Sequence, residues 1–202
     1  NKNEFQIVVD MPKGTTLETT DAAVMALANH LRTVPEVTNF VTFTGTSSPM
    51  DFNGMVRHYY LRKGPDVGDI RVNLLPKEDR QQQSHEIILR LRNELTRIAD
   101  AHGAKLKLVE VPPGPPVFAT LVAEIFGKPD QSYAELIAGG QHVEKLFKSE
   151  DGVVDVDDTI EADQSKYVFV VDREKASLSG ITSEAIGATL QLAEAGFSPG
   201  QD

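Results

Sequence analysis

The sequence predicts an α+β protein built from two tandem βαββαβ units, the second of which lacks its final strand. Strand-like and helix-like segments alternate in that order, the pattern starts again after 116 residues, and a proline-rich segment separates the two copies. The landmarks that share this spacing are Phe5 and Leu121, Thr16 and Ser132, and Val37 and Val153. Because three separate landmarks agree on one offset, we interpret the two halves as an internal repeat.

The first unit opens with a strand, a helix and a second strand. Residues 5–11 (FQIVVDM) are β-branched and precede Pro12, which is typical of a strand end. Thr15-x-x-Glu18 is a capping-box pattern, and apolar residues at helical spacing follow it until Pro35. Residues 37–44 (VTNFVTFT) then alternate between apolar and polar, as a half-buried strand does.

The same unit closes with a strand, a helix and a strand. Residues 70–75 (IRVNLL) form the predicted third strand, and Ser84 is the predicted cap of a helix that Gly103 ends. Residues 105–111 (KLKLVEV) alternate with period two and form the fourth strand. The resulting order is that of a ferredoxin-like fold, in which two helices cover one face of a four-stranded antiparallel sheet.

Four prolines in the seven residues 111–117 (VPPGPPV) mark the boundary between the two units. Proline fixes its φ angle and donates no backbone hydrogen bond, so neither a helix nor a sheet centre accepts such a segment. We therefore predict a first subdomain over residues 1–111, a linker over 112–117, and a second ferredoxin-like subdomain over 118–202.

The second unit repeats most of the first. Its predicted strands are residues 120–126, 153–160 and 166–171, and a Ser132-x-x-Glu135 capping box opens its first helix. A helical region over residues 172–195 breaks at Gly180. No fourth strand follows, so we expect that strand further along the parent sequence, beyond an inserted segment.

Composition excludes several classes of function. Among 202 residues, 30 acidic and 20 basic side chains give a net charge of −10, which argues against a nucleic-acid partner. The absence of cysteine removes disulfides, thiolate metal sites and cysteine nucleophiles. No phosphate-loop, nucleophile-elbow or zinc-protease motif occurs, and the five histidines are isolated in sequence. We therefore predict neither an enzyme nor a bound cofactor.

Two other segments could carry function. The acidic run at residues 155–158 (DVDD) could bind a hard cation or form the solvated face of a strand, and the second interpretation fits its alternation better. The 24 residues from Gly45 to Gly68 form an unusually long connection that is rich in methionine and aromatic side chains. This connection could contact a ligand or partner, could pack under the sheet, or could offer Met50 and Met55 as thioether ligands to a soft metal.

Residues 171–186 (VDREKASLSGITSEAI) resemble a segment of the form VDxxKAxxLGVxxxDI. That segment is typical of the periplasmic porter region of resistance-nodulation-division (RND) efflux permeases. The match is carried by Val171, Asp172, Lys175, Ala176, Leu178, Gly180, Ile181 and Ile186. The sequence departs from the pattern at Ser179, which separates leucine from glycine, and at Ala185, where the family usually has aspartate.

The resemblance implies a place for the chain in a larger transporter. Two consecutive ferredoxin-like units resemble the first two subdomains of the second large periplasmic loop of these permeases. The parent would be a proton-driven antiporter of the bacterial inner membrane, a homotrimer that works with a periplasmic adaptor and an outer-membrane channel. This segment would lie in the periplasm, where its two units form a cleft that opens and closes.

By position, the resemblance also implies which residues contact substrate. In the loop they are Met50, Phe52, Asn53, Gly54 and Met55, and on the strand that faces the cleft they are Leu121, Ala123 and Ile125. The aromatic residues usual on that strand are missing here. The implied substrates are hydrophobic or cationic small molecules, and no metal site or cofactor is assigned.

Two alternatives stay open. A soluble tandem ferredoxin-like sensor could bind a small molecule between its sheets, and this hypothesis predicts no hydrophobic helices in the flanking sequence. Within the transporter family, a heavy-metal exporter is the other alternative, supported by Met50 and Met55 alone.

Overall fold

A computed structural model describes residues 2–110, 119–160 and 168–195. The chain forms two compact units, Asn1–Ala162 and Asp163–Asp202, and each is described by itself. The predicted linker over residues 112–117 lies outside the described residues, so the predicted domain boundaries stay a prediction. No helix in the described ranges is both long and apolar enough to cross a lipid bilayer.

Four antiparallel strands form a sheet in the predicted first subdomain. They are β1 (Glu4–Asp10), β2 (Val37–Thr46), β3 (Lys63–Leu74) and β4 (Lys105–Glu110), in the spatial order β2-β3-β1-β4. Ile7 of β1 lies opposite Ile70 of β3 and Leu108 of β4, which sets the register at the sheet centre. The register of β2 against β3 shifts near each end of β2, between residues 37 and 39 and between residues 44 and 46.

Six α-helices and two short 3-10 turns complete the described chain. The helices are α1 (Leu17–Leu31), α2 (Phe52–Val56), α3 (Ser84–Ala101), α4 (Tyr133–Ser149), α5 (Arg173–Leu178) and α6 (Ser183–Ala195). The 3-10 turns are Tyr59–Leu61 and Lys77–Asp79. The α+β class and the ferredoxin-like order of the first unit are therefore confirmed.

Helix ends follow the predicted capping signals to within one residue. Ser132 and Glu135 form the predicted reciprocal capping box of α4. The N-cap of α1 is Thr16 and that of α3 is Gln83, each one residue away from the predicted Thr15 and Ser84. In both helices the neighbouring residue also carries a polar side chain, so local sequence alone does not decide between the two positions.

The core lies between the sheet and helices α1 and α3. Both helices turn an apolar stripe onto one face of the sheet, and this face consists of residues at alternate strand positions. The fully buried large side chains include Phe5, Ile7, Val9, Val24, Leu27, Leu31, Ile70, Val72, Ile87, Ile88 and Leu95. Burial of each such side chain contributes about 1.5–3 kcal/mol, which makes this layer the main source of stability.

The connection between β2 and β3 is shorter than the sequence predicts. Strand β3 begins at Lys63 instead of Ile70, so the β2–β3 loop covers residues 47–62. The first half of β3 (KGPDVGD) lacks an apolar alternation, yet its backbone pairs with both neighbours: Val67 lies opposite Asp10 of β1, and Gly68 opposite Thr44 of β2. The prediction missed this half because a backbone ladder does not require apolar side chains.

In the second half of the chain, the described residues show helices but no sheet. Residues 120–126, 153–160 and 166–171 are predicted as strands, and their described parts form no ladder with other described residues. The first unit suggests a physical reason. There β1 and β2 are not neighbours and both pair with β3, so the corresponding segments, residues 120–126 and 153–160, need a third strand between them to form a ladder.

Residues 125 and 160 nevertheless pack against the same helix. A Cβ atom on Gly140 of α4 would lie 2.9 Å from Cδ1 of Ile160 and 3.9 Å from Cδ1 of Ile125. Glycine therefore permits both isoleucines to approach the helix axis closely. The apolar positions of these two predicted strands thus cover α4, as expected for the sheet-to-helix layer of a ferredoxin-like unit.

Candidate functional site

The β2–β3 loop crosses the polar face of the sheet, opposite the face that α1 and α3 cover. Its residues 47–62 include helix α2 and the 3-10 turn Tyr59–Leu61. Three sets of polar contacts connect the loop to β1 and β3, and each involves a charged side chain of the sheet or of the loop. These contacts determine which loop side chains stay in solvent.

The first anchor is Asp69 of β3, whose side chain is fully buried. Its carboxylate accepts hydrogen bonds from the backbone N–H of Ser48 at 2.7 Å, from Nε2 of Gln6 at 2.9 Å, and from Nη1 of Arg62 at 2.6 Å. A buried carboxylate is stable only when it is paired and hydrogen-bonded, and these three donors meet that requirement. Asp69 therefore fixes both ends of the loop to the sheet.

The second anchor is Arg62 at the end of the loop. Its guanidinium donates to Oδ1 of Asp10 from Nε at 3.1 Å and from Nη2 at 2.6 Å, and to the carbonyl of Val9 at 2.7 Å. Burial disfavours the charge of Arg62, but the carboxylates of Asp10 and Asp69 outweigh that effect and raise its pKa. Arg62 thus stays charged and bridges β1 and β3.

The third anchor joins Arg71 of β3 to the start of α2. Nη1 of Arg71 lies 2.6 Å from Oδ2 of Asp51, and its Nε donates to Oγ of Ser48 at 3.0 Å. The other carboxylate oxygen of Asp51 accepts from the backbone N–H of Gly54 at 2.6 Å and caps α2. One aspartate therefore positions the helix and attaches it to the sheet.

The five predicted loop residues divide into two groups. Met50, Phe52 and Met55 are exposed to solvent by 60%, 63% and 43%, whereas Asn53 and Gly54 are buried. Phe52 and Met55 therefore project from a short helix that ion pairs attach to the sheet, and Met50 projects from the residue just before its N-cap, Asp51. The prediction that this loop offers an apolar contact surface agrees with their exposure, although a role in binding stays a prediction.

The pKa of Asp51 links the order of the loop to pH. Burial acts to raise this pKa, but the hydrogen bonds from Arg71 and Gly54 outweigh burial and lower it below the ordinary value of 3.8. The stabilisation is therefore fully present above about pH 4 and is lost as the pH falls through the lowered pKa.

We expect acidification to loosen helix α2 before it affects the rest of the fold. Because the chain contains no tryptophan, a Phe52→Trp variant reports on α2 alone, and its fluorescence anisotropy should stay constant from pH 7 to 4 and fall below that. The same variant with Asp51→Asn should show low anisotropy throughout. Equal anisotropy at pH 7 and pH 3, with an unchanged circular dichroism spectrum, would contradict this interpretation.

The three predicted strand residues lie elsewhere. Leu121, Ala123 and Ile125 fall in a described segment without secondary structure, and Leu121 and Ile125 are exposed by 62% and 39%. The hydrogen bonds and ion pairs described for the chain do not join this segment to the β2–β3 loop. A shared pocket formed by the two sets of residues therefore stays a prediction.

The acidic run at residues 155–158 faces protein cations. Asp155 pairs with Arg92 and Asp157 pairs with Lys107, while Asp158 accepts from the backbone N–H of Ile160 at 2.8 Å. Among the described residues, no group of three or more histidine, aspartate or glutamate side chains could hold a metal ion. These ion pairs argue against the hard-cation interpretation, while the solvated-strand interpretation stays a prediction because residues 153–160 form no ladder with other described residues.

The segment that resembles the RND pattern is a helix junction. Asp172 caps α5 by accepting from the backbone N–H of Lys175 at 3.1 Å. Ala176 is buried, and its carbonyl accepts from the backbone N–H of Ile181 at 2.9 Å. Gly180 has a φ of +68°, which favours glycine at the break between α5 and α6. The matched residues thus have structural roles.

Comparisons with known proteins agree with that segment and extend beyond it. Residues 1–201 match the model of the AcrB/AcrD/AcrF family. Two crystal forms of a heavy metal efflux pump have a similar fold, each at 18% sequence identity. Crystal form I has a TM-score of 0.64 over 95% of this chain, and crystal form II has 0.61 over 94%. No curated protein matches the chain.

This chain corresponds to 19% of the length of each of those pump structures. At such low identity the likeness shows the fold alone. The family model covers nearly the whole sequence, including the loop, the linker and the helix junction. The chain therefore belongs to the AcrB/AcrD/AcrF family and is a porter region of an RND efflux permease.

Proposed function

We propose that this chain forms one wall of the substrate path in a transporter that exports hydrophobic or cationic small molecules. The observation that carries the proposal is the β2–β3 loop, which presents Met50, Phe52 and Met55 to solvent from a base held by buried and partly buried ion pairs. Membership of an efflux family supports it and favours a transporter over the soluble sensor.

The geometry suits broad selectivity. Methionine and phenylalanine side chains contact ligands through area and shape, with few directional hydrogen bonds, so related molecules bind with similar modest affinity. The buried anchor at Asp69 and the partly buried anchor at Arg71 keep this apolar surface in one place while its side chains adapt. Buried Asn53 and Gly54 support the helix from which the surface projects.

The remaining parts of the site have complementary roles in this proposal. Leu121, Ala123 and Ile125 form the facing wall of the path, and the linker over residues 112–117 is the pivot between the walls. The parent is a proton-driven homotrimer of the inner membrane, with this region in the periplasm, and it works with an adaptor and an outer-membrane channel. Family membership supports this assembly.

Substitution of Phe52 tests the proposal in the full-length parent. Phe52→Ala removes the most exposed of the three apolar side chains, so export of a hydrophobic cationic dye should fall several-fold at unchanged protein abundance. Leu89→Ala is the matched control, because Leu89 is comparably exposed on α3, outside the loop. Normal export by Phe52→Ala at normal abundance, or an equal loss in both variants, would reject the loop as a substrate contact.

A soft metal ion is the second candidate substrate. Met50 and Met55 are both exposed on the same loop, and thioether sulfur suits Cu(I) and Ag(I). The structures of similar fold are those of a heavy metal efflux pump. Titration of the chain with Ag(I) should show binding that a Met50→Leu/Met55→Leu variant lacks and that a Met25→Leu control retains. Equal binding by all three proteins would remove the metal candidate.

A further inference from the structure

The acidic run at residues 155–158 has a use that the substrate path does not require. Asp155 and Asp157 follow the predicted linker, while their partners Arg92 and Lys107 precede it. The ion pairs therefore join residues on either side of the predicted boundary between subdomains. Their separations in sequence are 63 and 50 residues, so local chain geometry does not bring them together.

The first pair has the geometry of a strong contact. Nη1 of Arg92 lies 2.5 Å from Oδ1 of Asp155, and Nη2 lies 3.2 Å from Oδ2, so the guanidinium meets the carboxylate with two parallel bonds. Asp155 has a φ of +55°, in the left-handed region that non-glycine residues seldom occupy. The backbone is thus bent at the residue whose carboxylate meets Arg92.

The second pair lies on the other face of the sheet. Lys107 projects from β4 beside Asp10 of β1, with 3.4 Å between Nζ of Lys107 and Oδ2 of Asp10, and its ammonium also contacts Asp157. Burial acts to lower the pKa of Lys107, but the hydrogen bond to Asp157 and the nearby carboxylates outweigh burial and raise it. The ammonium is therefore charged when it holds Asp157.

The two pairs involve an element on each face of the sheet near β4. Helix α3, which carries Arg92, packs on the apolar face of the sheet, and Lys107 points from the polar face. In the order β2-β3-β1-β4, no described strand pairs with the outer edge of β4. Asp155 and Asp157 therefore pair with basic side chains on opposite faces of the sheet.

We propose that Asp155 and Asp157 form an acidic clasp that binds Arg92 and Lys107 and holds residues 119–160 against the first subdomain. The opening movement of the substrate path then requires release of this clasp, a step that rests on the proposed function. All four side chains are partly exposed. Water and salt therefore weaken the two ion pairs, which allows them to open and close.

Distance measurements on this chain test the clasp directly. The chain contains no cysteine, so Leu89→Cys on α3 and Leu146→Cys on α4 place two spin labels without background, and both positions are exposed. In the chain that carries the two labels and no other substitution, we expect a narrow distribution of distances between the labels. In the neutral variant, Asp155→Asn/Asp157→Asn, the distribution should broaden and its mean should lengthen. Asp151→Asn, which removes one neighbouring acidic charge outside the clasp, should leave the distribution as it is in the labelled chain without further substitutions.

A charge exchange separates the clasp from a general loss of structure. Arg92→Asp alone should broaden the distribution, and Arg92→Asp with Asp155→Arg should narrow it again. Salt at 1 M should broaden the distance distribution of the labelled chain that keeps Asp155 and Asp157. It should leave the distribution of the Asp155→Asn/Asp157→Asn variant unchanged. The clasp would be overturned if Asp155→Asn/Asp157→Asn left the distances between the labels unchanged. It would also be overturned if Arg92→Asp broadened the distances and the added Asp155→Arg did not restore them.

This readout is independent of transport. If Phe52→Ala leaves export normal while the neutral variant shows broadened distances, the proposed function fails and the clasp stands as a property of the chain. If Phe52→Ala abolishes export while the distances stay unchanged, the loop keeps its role and the clasp is rejected.

Discussion

Replacing Asp69 with alanine is expected to lower the free energy of unfolding by about 3–5 kcal/mol, the cost typical of breaking a buried ion pair by removing one partner. The carboxylate is fully buried and accepts from Arg62, Gln6 and the backbone of Ser48. Its removal takes this acceptor away from all three donor groups and leaves the backbone N–H of Ser48 without its partner at a buried position. Arg62 retains Asp10 as a partner, which keeps the effect within this range.

Urea unfolding followed by circular dichroism measures the effect. Asp69→Asn should be less damaging than Asp69→Ala, because the amide oxygen can still accept from the N–H of Ser48. Asp21→Ala is the control, since Asp21 is exposed and accepts only from the Thr44 hydroxyl among its described contacts, and its cost should stay within about 0.5 kcal/mol. An Asp69→Ala midpoint as high as that of Asp21→Ala would show that the loop anchor contributes little.

A comparable loss is expected at Leu27 on the apolar face of the sheet. Leu27 is fully buried in the core between α1 and the strands, and truncation to alanine removes its γ-carbon and two methyl groups and leaves a cavity. Such substitutions cost about 2–5 kcal/mol, depending on how far neighbours relax into the space. Val24 and Leu31 flank the site on the same helix and limit that relaxation.

The same unfolding experiment distinguishes core packing from helix propensity. Alanine favours helices slightly, so Leu89→Ala on the exposed face of α3 should leave stability nearly unchanged. Leu27→Ala should lower the urea midpoint strongly while retaining the native circular dichroism spectrum at low denaturant. A loss at Leu27 no larger than that at Leu89 would contradict the assignment of this layer as the core.

Most of the first subdomain could be predicted because its signals are local. Helices α1 and α3 carry apolar residues at intervals of three and four, and β1 and β4 carry β-branched or alternating residues. These periodicities arise from the geometry of the elements themselves, so a short window reveals them. The second-half strands show the limit of this inference, since a strand needs a paired neighbour and an alternating sequence does not supply one.

The candidate site likewise has one part that the sequence could predict and one part that it could not. Exposure of Met50, Phe52 and Met55 could be expected from a long loop rich in apolar residues. The anchors beneath it could not, because Arg62 meets Asp10 across 52 residues of sequence and Gln6 meets Asp69 across 63. Ion pairs at such separations leave no periodic signature. The cap at Asp51 is the one local signal, an aspartate three residues before Gly54, that could have indicated α2.

The register shifts at the two ends of β2 bear on how the protein avoids self-association. In the sheet order, β2 is an outer strand, and such strands offer unpaired N–H and C=O groups to any other extended chain. Irregular register at residues 37–39 and 44–46 limits the flat, regular part of that edge to about six residues. A second molecule therefore finds only a short template for intermolecular β-pairing, which protects the solubility of the porter region.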